Sequence, residues 1–260
     1  MKSRHLTIIL ISILLSAVLG CKPNEKIAPD FPPEESISID FSYFINPPIE
    51  TSNYAHAFET SLSWISLLND SLQLYQNMLN VVSQKNFNYQ NNNTWLINSI
   101  LYSGDNQYDV NYFEIINIDT IDTKLFFTLD SSYTNLLLFD GYFLPDSTNG
   151  FRQINKPDTG NTSVKFLKID WNVISDSKKE IKFTNLLVDD KNGNSVLYKD
   201  STDNQYDVYL DFFDKASENH TFIEYSKTNF SGRIKDLKFY GDENWYCWDT
   251  NRENTDCSSE

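Results

Sequence analysis

From Trp95 onward the chain alternates apolar and polar residues with a period of two. This pattern recurs in Trp95–Tyr102, Tyr108–Ile118, Lys124–Leu129, Asn135–Leu144, Val164–Trp171, Glu180–Val188, Ser195–Lys199, Tyr206–Phe213 and Thr221–Tyr225, and each segment reads as a strand. The punctuation between segments is short: Ser103-Gly104-Asp105, Asp130-Ser131-Ser132, Asn149-Gly150 and Lys191-Asn192-Gly193-Asn194. Asn-Gly favours a hairpin because both central residues of a type I′ turn need positive φ. Lys156–Asn161 reads as a loop, and Ile37–Phe44 as a first strand. Many short strands joined by tight turns predict an antiparallel meander with one solvated face and one face on a core.

One segment departs from this period. Phe58, Leu62, Ile65, Leu68, Leu72, Tyr75, Leu79 and Val82 step by three or four residues, which predicts an apolar stripe on a helix from Ala55 to Val82. Ser61, Asn69, Gln73, Asn77 and Asn80 fall on the opposite face, and Asn86–Asn93 ends the helix with turn formers. The expected fold class is α+β: one long amphipathic helix packed on an extended, curved antiparallel β-meander, like a half-barrel.

The N-terminus carries Lys2 and Arg4, then the uncharged run Leu6–Leu19. That run is shorter than the roughly 20 apolar residues needed to span a bilayer. A charged start and a short apolar middle define a secretory signal. Val18-Leu19-Gly20-Cys21 resembles the lipobox of bacterial lipoproteins. The resemblance implies diacylglyceryl attachment at Cys21 and anchorage to a bacterial cell-envelope membrane, with the protein periplasmic or surface-exposed. An ordinary signal peptide cut nearby would instead release a soluble secreted protein. Residues 1–20 then form the signal, 21–36 the lipidated cysteine and Pro-rich tether, and 37–260 a single domain. The chain has three cysteines, and lipidation of Cys21 would account for the odd one.

The formal charge is −15, and removal of Lys2 and Arg4 would make it −17. A charge of that sign repels phosphates and argues against nucleic acid as a partner. Hydrophobic content of 40%, with 15% aromatic residues, suffices for a core.

The tail is the most distinctive stretch: Gly232-Arg233-Ile234-Lys235-Asp236, then Phe239-Tyr240-Gly241-Asp242-Glu243-Asn244-Trp245-Tyr246-Cys247-Trp248-Asp249, then Asp256-Cys257. It resembles the ending of an uncharacterised family of lipid-anchored bacterial proteins, a likeness that implies location and architecture but no activity. Export places Cys247 and Cys257 in an oxidising compartment, which favours a disulfide. Nine intervening residues are too many for a redox pair, and no histidine lies close by to complete a zinc site. Asp242, Glu243, Asp249, Glu253 and Asp256 crowd the tail and raise Ca²⁺ as an alternative to a solvated acidic surface.

Chemistry-bearing motifs are sparse. His56 stands at the predicted helix start and His220 in a predicted turn, and neither accompanies a nucleophile elbow. No phosphate loop or dinucleotide fingerprint is present, and no catalytic, metal or cofactor-binding residues are expected. With 36 acidic residues, close carboxylate pairs carry little information. Trp245, Trp248, Asp242 and Asp249 are candidate ligand-binding residues, because indole rings stack on sugars and carboxylates bind hydroxyls. The expected role is non-enzymatic binding or a structural function at the envelope, with another envelope protein, an apolar ligand or a glycan as partner. The alternative is a carbohydrate-active or other hydrolytic lipoprotein using Asp and Glu. Asp105–Val110 recurs as Asp203–Val208, too few copies for a solenoid.

Overall fold

The structure, a computed structural model, describes residues 39, 41–44, 48, 52–130, 132–175, 178–200 and 205–257. Cys21, the signal and the tether lie outside the described residues.

The chain folds mostly into one antiparallel sheet of 14 strands, each paired to its sequence neighbours, and the sheet is not closed. The strands are β1 (Asn88–Tyr89), β2 (Thr94–Ser103), β3 (Asn106–Ile116), β4 (Ile121–Leu129), β5 (Tyr133–Phe143), β6 (Asn149–Asp158) and β7 (Thr162–Ser175). They continue with β8 (Lys178–Asn185), β9 (Ser195–Asp200), β10 (Val208–Asp214), β11 (Asn219–Tyr225), β12 (Gly232–Asp236), β13 (Tyr246–Trp248) and β14 (Asn254–Thr255). A helix, α1 (Asn53–Ser83), precedes the sheet, and a single turn, α2 (Leu237–Tyr240), interrupts its end.

Several boundaries differ from the sequence reading. Ser42–Phe44 forms a 3-10 turn where a first strand was expected. Asn149-Gly150 opens β6 instead of making a turn; the reversal lies just before it, where Ser147 takes φ 59°. Lys156, Pro157 and Asp158 belong to β6, so the expected loop shrinks to the tip around Gly160. His220 lies in β11, not in a turn. The second copy of the repeated hexapeptide begins outside the described residues, and its Asp207 precedes β10, whereas Asp109 lies inside β3.

Helix α1 starts where the Ser52 side chain accepts a hydrogen bond from the Ala55 N–H, a standard N-cap. Its packed face is not the simple stripe read from the sequence. Ser61, assigned to the polar face, is fully buried and donates to the Ala57 carbonyl at 2.8 Å. Leu62, assigned to the stripe, is 46% exposed. The face that packs is Tyr54, Ala57, Phe58, Ser61, Trp64, Leu68, Leu72, Tyr75, Met78, Leu79 and Val82. A neutral hydroxyl bonded to its own helix can be buried cheaply; in the rest of the expected stripe, Phe58, Leu68, Leu72, Tyr75, Leu79 and Val82 are buried as read and Ile65 is partly buried.

The helix runs across the strands. Its first turn touches the last strands, where Tyr54 meets Trp248 and His56 meets Asp236. Its middle lies on β5 to β8, where Tyr75 meets Phe139 and Arg152, and Leu68 and Leu72 share a small cleft with Ile169 and Phe183. Its end reaches β2, where Ser99 Oγ lies 3.5 Å from the Val81 carbonyl. At 1.5 Å per residue, 31 residues span about 46 Å. The ten spacings from β2 to β12, at about 4.8 Å each, come to about 48 Å. The helix is therefore as long as the stretch of sheet it covers.

One row of directly paired residues crosses the inner face from β2 to β12: Trp95, Glu114, Thr123, Gly141, Arg152, Ile169, Phe183, Val196, Phe212, Thr221 and Asp236. Every side chain in it is buried. Most of its polar members meet the helix or a neighbouring side chain, whereas the buried Thr123 hydroxyl has no hydrogen-bond partner among the described residues. Arg152 Nη1 donates to Tyr75 Oη at 2.5 Å, and Tyr112 donates to Glu114 Oε1 at 2.5 Å. The Arg152 guanidinium also lies 5.3 Å from the Phe139 ring centre and 5.7 Å from that of Trp171. Burial works against the charged guanidinium, but the Tyr75 and Tyr112 oxygens outweigh it and hold the Arg152 pKa above its usual value. Burial, helped by the nearby Glu114 carboxylate, pushes the Tyr112 phenol well up.

Candidate functional site on the outer face of the last strands

The main hydrophobic cluster lies between α1 and the inner face of the sheet. The cleft beside α1, lined by Leu68, Leu72, Tyr75, Leu79, Ile169 and Phe183, amounts to only about 100 Å³; two open hollows are larger, one of about 390 Å³ between Trp64 and Leu67 of α1 and Asn185, and one of about 510 Å³ lined by Lys156, Val164, Leu186 and Val188. Neither hollow gathers several rings and charged groups together; the outer face of the last strands does.

Alternation along β10, β11 and β12 turns Tyr209, Asp211 and Phe213, then His220, Phe222 and Glu224, then Arg233 and Lys235 outward. These side chains form a continuous stack with Trp245 of the tail. Phe213 lies 4.7 Å from His220, and His220 lies parallel to Phe222 at 5.5 Å. Lys235 Nζ sits 5.0 Å from the Phe222 ring centre and 5.0 Å from that of Trp245. The Arg233 guanidinium sits 4.5 Å from Trp245 and 5.1 Å from Tyr206. Cations over aromatic faces are attracted by the ring quadrupole.

Carboxylates flank the stack. Asp211 Oδ1 lies 2.7 Å from His220 Nδ1, and Glu224 Oε2 accepts from Arg233 Nε at 2.5 Å. Burial, then Asp211 and Glu224, push the Tyr209 phenol up to about 12, so it stays a neutral donor at ordinary pH. Lys235 makes no ion pair among the described residues, whereas Arg233 is matched by Glu224. The stack thus offers half-buried ring surface beside an ammonium group that has no ion-pair partner within 4 Å among the described residues.

The four candidate binding residues of the tail do not converge. Trp248 is 1% exposed, and its indole N–H donates to Tyr43 Oη at 2.8 Å. It belongs to an aromatic cluster with Tyr43, Tyr54 and Tyr225 over the start of α1. Burial pushes the Tyr43 phenol well above its usual value, and Tyr43 in turn donates to the Phe230 carbonyl at 2.6 Å. Only Trp245 joins the outer stack. Asp242 accepts from the Asn244 N–H and the Tyr246 hydroxyl, each at 2.9 Å. Asp249 accepts from the N–H groups of Asn251 and Glu253 at 2.8 and 3.0 Å. Both carboxylates close turns. Among the described residues no group of three or more His, Cys, Asp or Glu side chains could hold a metal ion, and no helix is long and apolar enough to cross a membrane.

Cys247 and Cys257 form a disulfide with their Cα atoms 5.2 Å apart. It closes the loop carrying β13 and β14 and fixes the strand that follows Trp245.

Sequence reading missed Asp236, although it lies in the quoted tail. Its carboxylate caps α2 by accepting from the N–H groups of Lys238 and Phe239 at 3.0 and 3.2 Å. It also accepts from Thr221 Oγ1 and Asn219 Nδ2, each at 2.9 Å, and lies 2.9 Å from His56 Nε2. Burial alone would raise this carboxyl, but the hydrogen bonds from Asn219, His56, Thr221 and the Phe239 N–H hold it below the usual range. His56 is also stacked on Phe239 at 3.8 Å. The cluster is a fastener between the start of α1 and the end of the sheet.

No protein family, curated protein or solved structure matched the chain, so the site is interpreted from its geometry.

Proposed function

We propose that this protein is a lipid-anchored lipoprotein of the bacterial cell envelope with a non-enzymatic binding role, and that the outer face of β10 to β12 with Trp245 is its binding surface. The ligand class that fits best is a glycan bearing carboxylate groups. Half-buried rings suit the C–H faces of sugars, and Lys235 supplies a cation for an acidic substituent. The observation that carries this reading is the Phe213–His220–Phe222–Lys235–Trp245–Arg233 stack, held on a disulfide-fastened tail. The anchor rests on the lipobox-like sequence ending at Cys21.

The test is co-sedimentation of the full chain with purified peptidoglycan and with acidic and neutral polysaccharides. The acidic polymers should retain the wild type, and Trp245→Ala and Lys235→Ala should each weaken retention several-fold. Equal retention of wild type and both variants would exclude this face as the site. The anchor is tested separately: radioactive palmitate should label the wild type and not Cys21→Ser.

A further inference from the structure

Strand β2 stands at one edge of the sheet, and β1 covers little of it. The only pairs between them are Asn88 with Leu96 and Tyr89 with Trp95. Ile97–Ser103 therefore presents a row of backbone groups with no strand partner among the described residues. Edges of this kind are usually blunted by charges, proline or bulges. This one is not: Thr94–Ser103 reads TWLINSILYS, with no charged residue and no proline. Among the described strands longer than three residues, it alone lacks a charge. Its inner face is covered by the end of α1, but Ile100 is 49% and Tyr102 70% exposed on its outer face. The opposite edge of the sheet is different. It ends in the two-residue β14 beside the Cys247–Cys257 disulfide.

We infer that the β2 edge pairs with β2 of a second copy of this chain, antiparallel, about a two-fold axis at Ile100. Three observations select this occupant. The two edges are too unlike for head-to-tail addition, because β14 offers only two residues, so the contact that closes is isologous. The uncovered stretch Ile97–Ser103 is centred on Ile100, so full antiparallel overlap places Ile100 opposite its own copy and Asn98 opposite Tyr102. Finally, the edge tolerates self-association despite the chain's formal charge of −15. The first acidic side chain inward is Asp109, paired with Ile100 on β3. Its copy would stand three strand spacings away, about 14 Å, beyond the screening length of about 8 Å at physiological salt. A basic partner would find no carboxylate on β2 to pair with.

The test uses the full chain with its own signal, expressed in a bacterial host. Directly opposed residues in an antiparallel pair have Cβ atoms about 5 Å apart, within reach of a disulfide. Under mild oxidation of membranes, Ile100→Cys should give a band of twice the chain mass on a non-reducing gel. Ile174→Cys, 60% exposed on β7, should not. Asn98→Cys and Tyr102→Cys chains should cross-link when co-expressed and not when expressed singly. Ile100→Lys, which opposes two ammonium groups, should convert a detergent-corrected light-scattering mass of two chains to one. A wild type that scatters as one chain overturns the inference, as does cross-linking no greater for Ile100→Cys than for Ile174→Cys.

Discussion

Gly232 pairs directly across the ladder with Trp248, and the indole occupies the place of the missing side chain. A Cβ on Gly232 would lie 2.2 Å from Trp248 Cζ2 and 2.6 Å from the Glu224 carbonyl oxygen. Gly150 and Trp171 repeat the arrangement between β6 and β7, with Trp171 Cζ2 2.4 Å from the same point. In both pairs glycine makes room for a buried indole on the neighbouring strand.

Gly232→Ala should therefore be destabilising despite adding a single methyl group. Overpacking typically costs about 1–3 kcal/mol, and the upper end is expected here because one clashing atom is backbone. Chemical denaturation of the two proteins checks this. Gly160→Ala is the comparison, since nothing lies within 4 Å of a Cβ there; its cost should come only from the positive φ.

The two tail tryptophans should separate. Trp248→Ala removes a 1% exposed side chain from the main cluster and should cost about 3–5 kcal/mol. Trp245→Ala loses two cation–π contacts of about 0.5–1 kcal/mol each, so the fold should survive while glycan retention falls. Thermal melts and sedimentation read the two effects independently.

Removing the disulfide with Cys247→Ser and Cys257→Ser should cost about 2.8 kcal/mol, by the loop-entropy relation for a closure spanning ten positions. Limited proteolysis should then cut first after β12, because β13 and β14 are short and pair only with each other and with β12.

The Asp236 carboxyl titrates below its unfolded value of about 3.8. A carboxylate favoured in the folded state stabilises fully above the unfolded pKa, and that stabilisation disappears as pH falls through the lower folded value. The wild type should hold its melting temperature from pH 7 to about pH 5 and lose it steeply below about pH 4. Asp236→Asn should begin less stable and lose less over the acid range. Melting curves at half-unit pH steps measure both slopes.

Arg152→Ala should be more damaging than any outer-face substitution. Breaking a buried charged network costs about 3–5 kcal/mol, and Arg152 is 1% exposed beneath α1. Tyr75→Phe, which removes only the hydroxyl that accepts from Arg152, should cost about 1–3 kcal/mol. Urea denaturation curves of the three proteins give the order.

Much of the sheet was legible because alternation and turn residues act locally. The Lys191–Asn194 turn was legible in part: Gly193 takes φ 89° and its N–H returns to the Asn185 carbonyl, but Asn192 is not in the left-handed region a type I′ turn needs, and β8 ends at Asn185, short of the expected Val188. β6 was missed because Pro157 and the Asn149-Gly150 pair imitate loop signals, yet proline near a strand end and glycine facing an indole both fit a ladder. Trp245 could be named from sequence, but its companions Phe222, Lys235 and Arg233 could not. Their meeting depends on how the tail folds back over β12, a long-range fact with no local signal. Asp236 and Arg152 escaped for the same reason, since each takes its role from a helix 180 and 77 residues away.

The helix that spans β2 to β12 also sets the order in which this chain can mature. Its first turn is made 180 residues before its companion Asp236, and earlier still relative to Trp248. Until they arrive, Tyr54 is covered by the neighbouring rings of Tyr43, Phe44 and Phe58 but not by Trp248, and partly covered apolar surface is what chaperones hold. A product that stopped before β12 would not be a smaller version of this protein, because the start of α1 would never gain the seat that β12 and β13 provide.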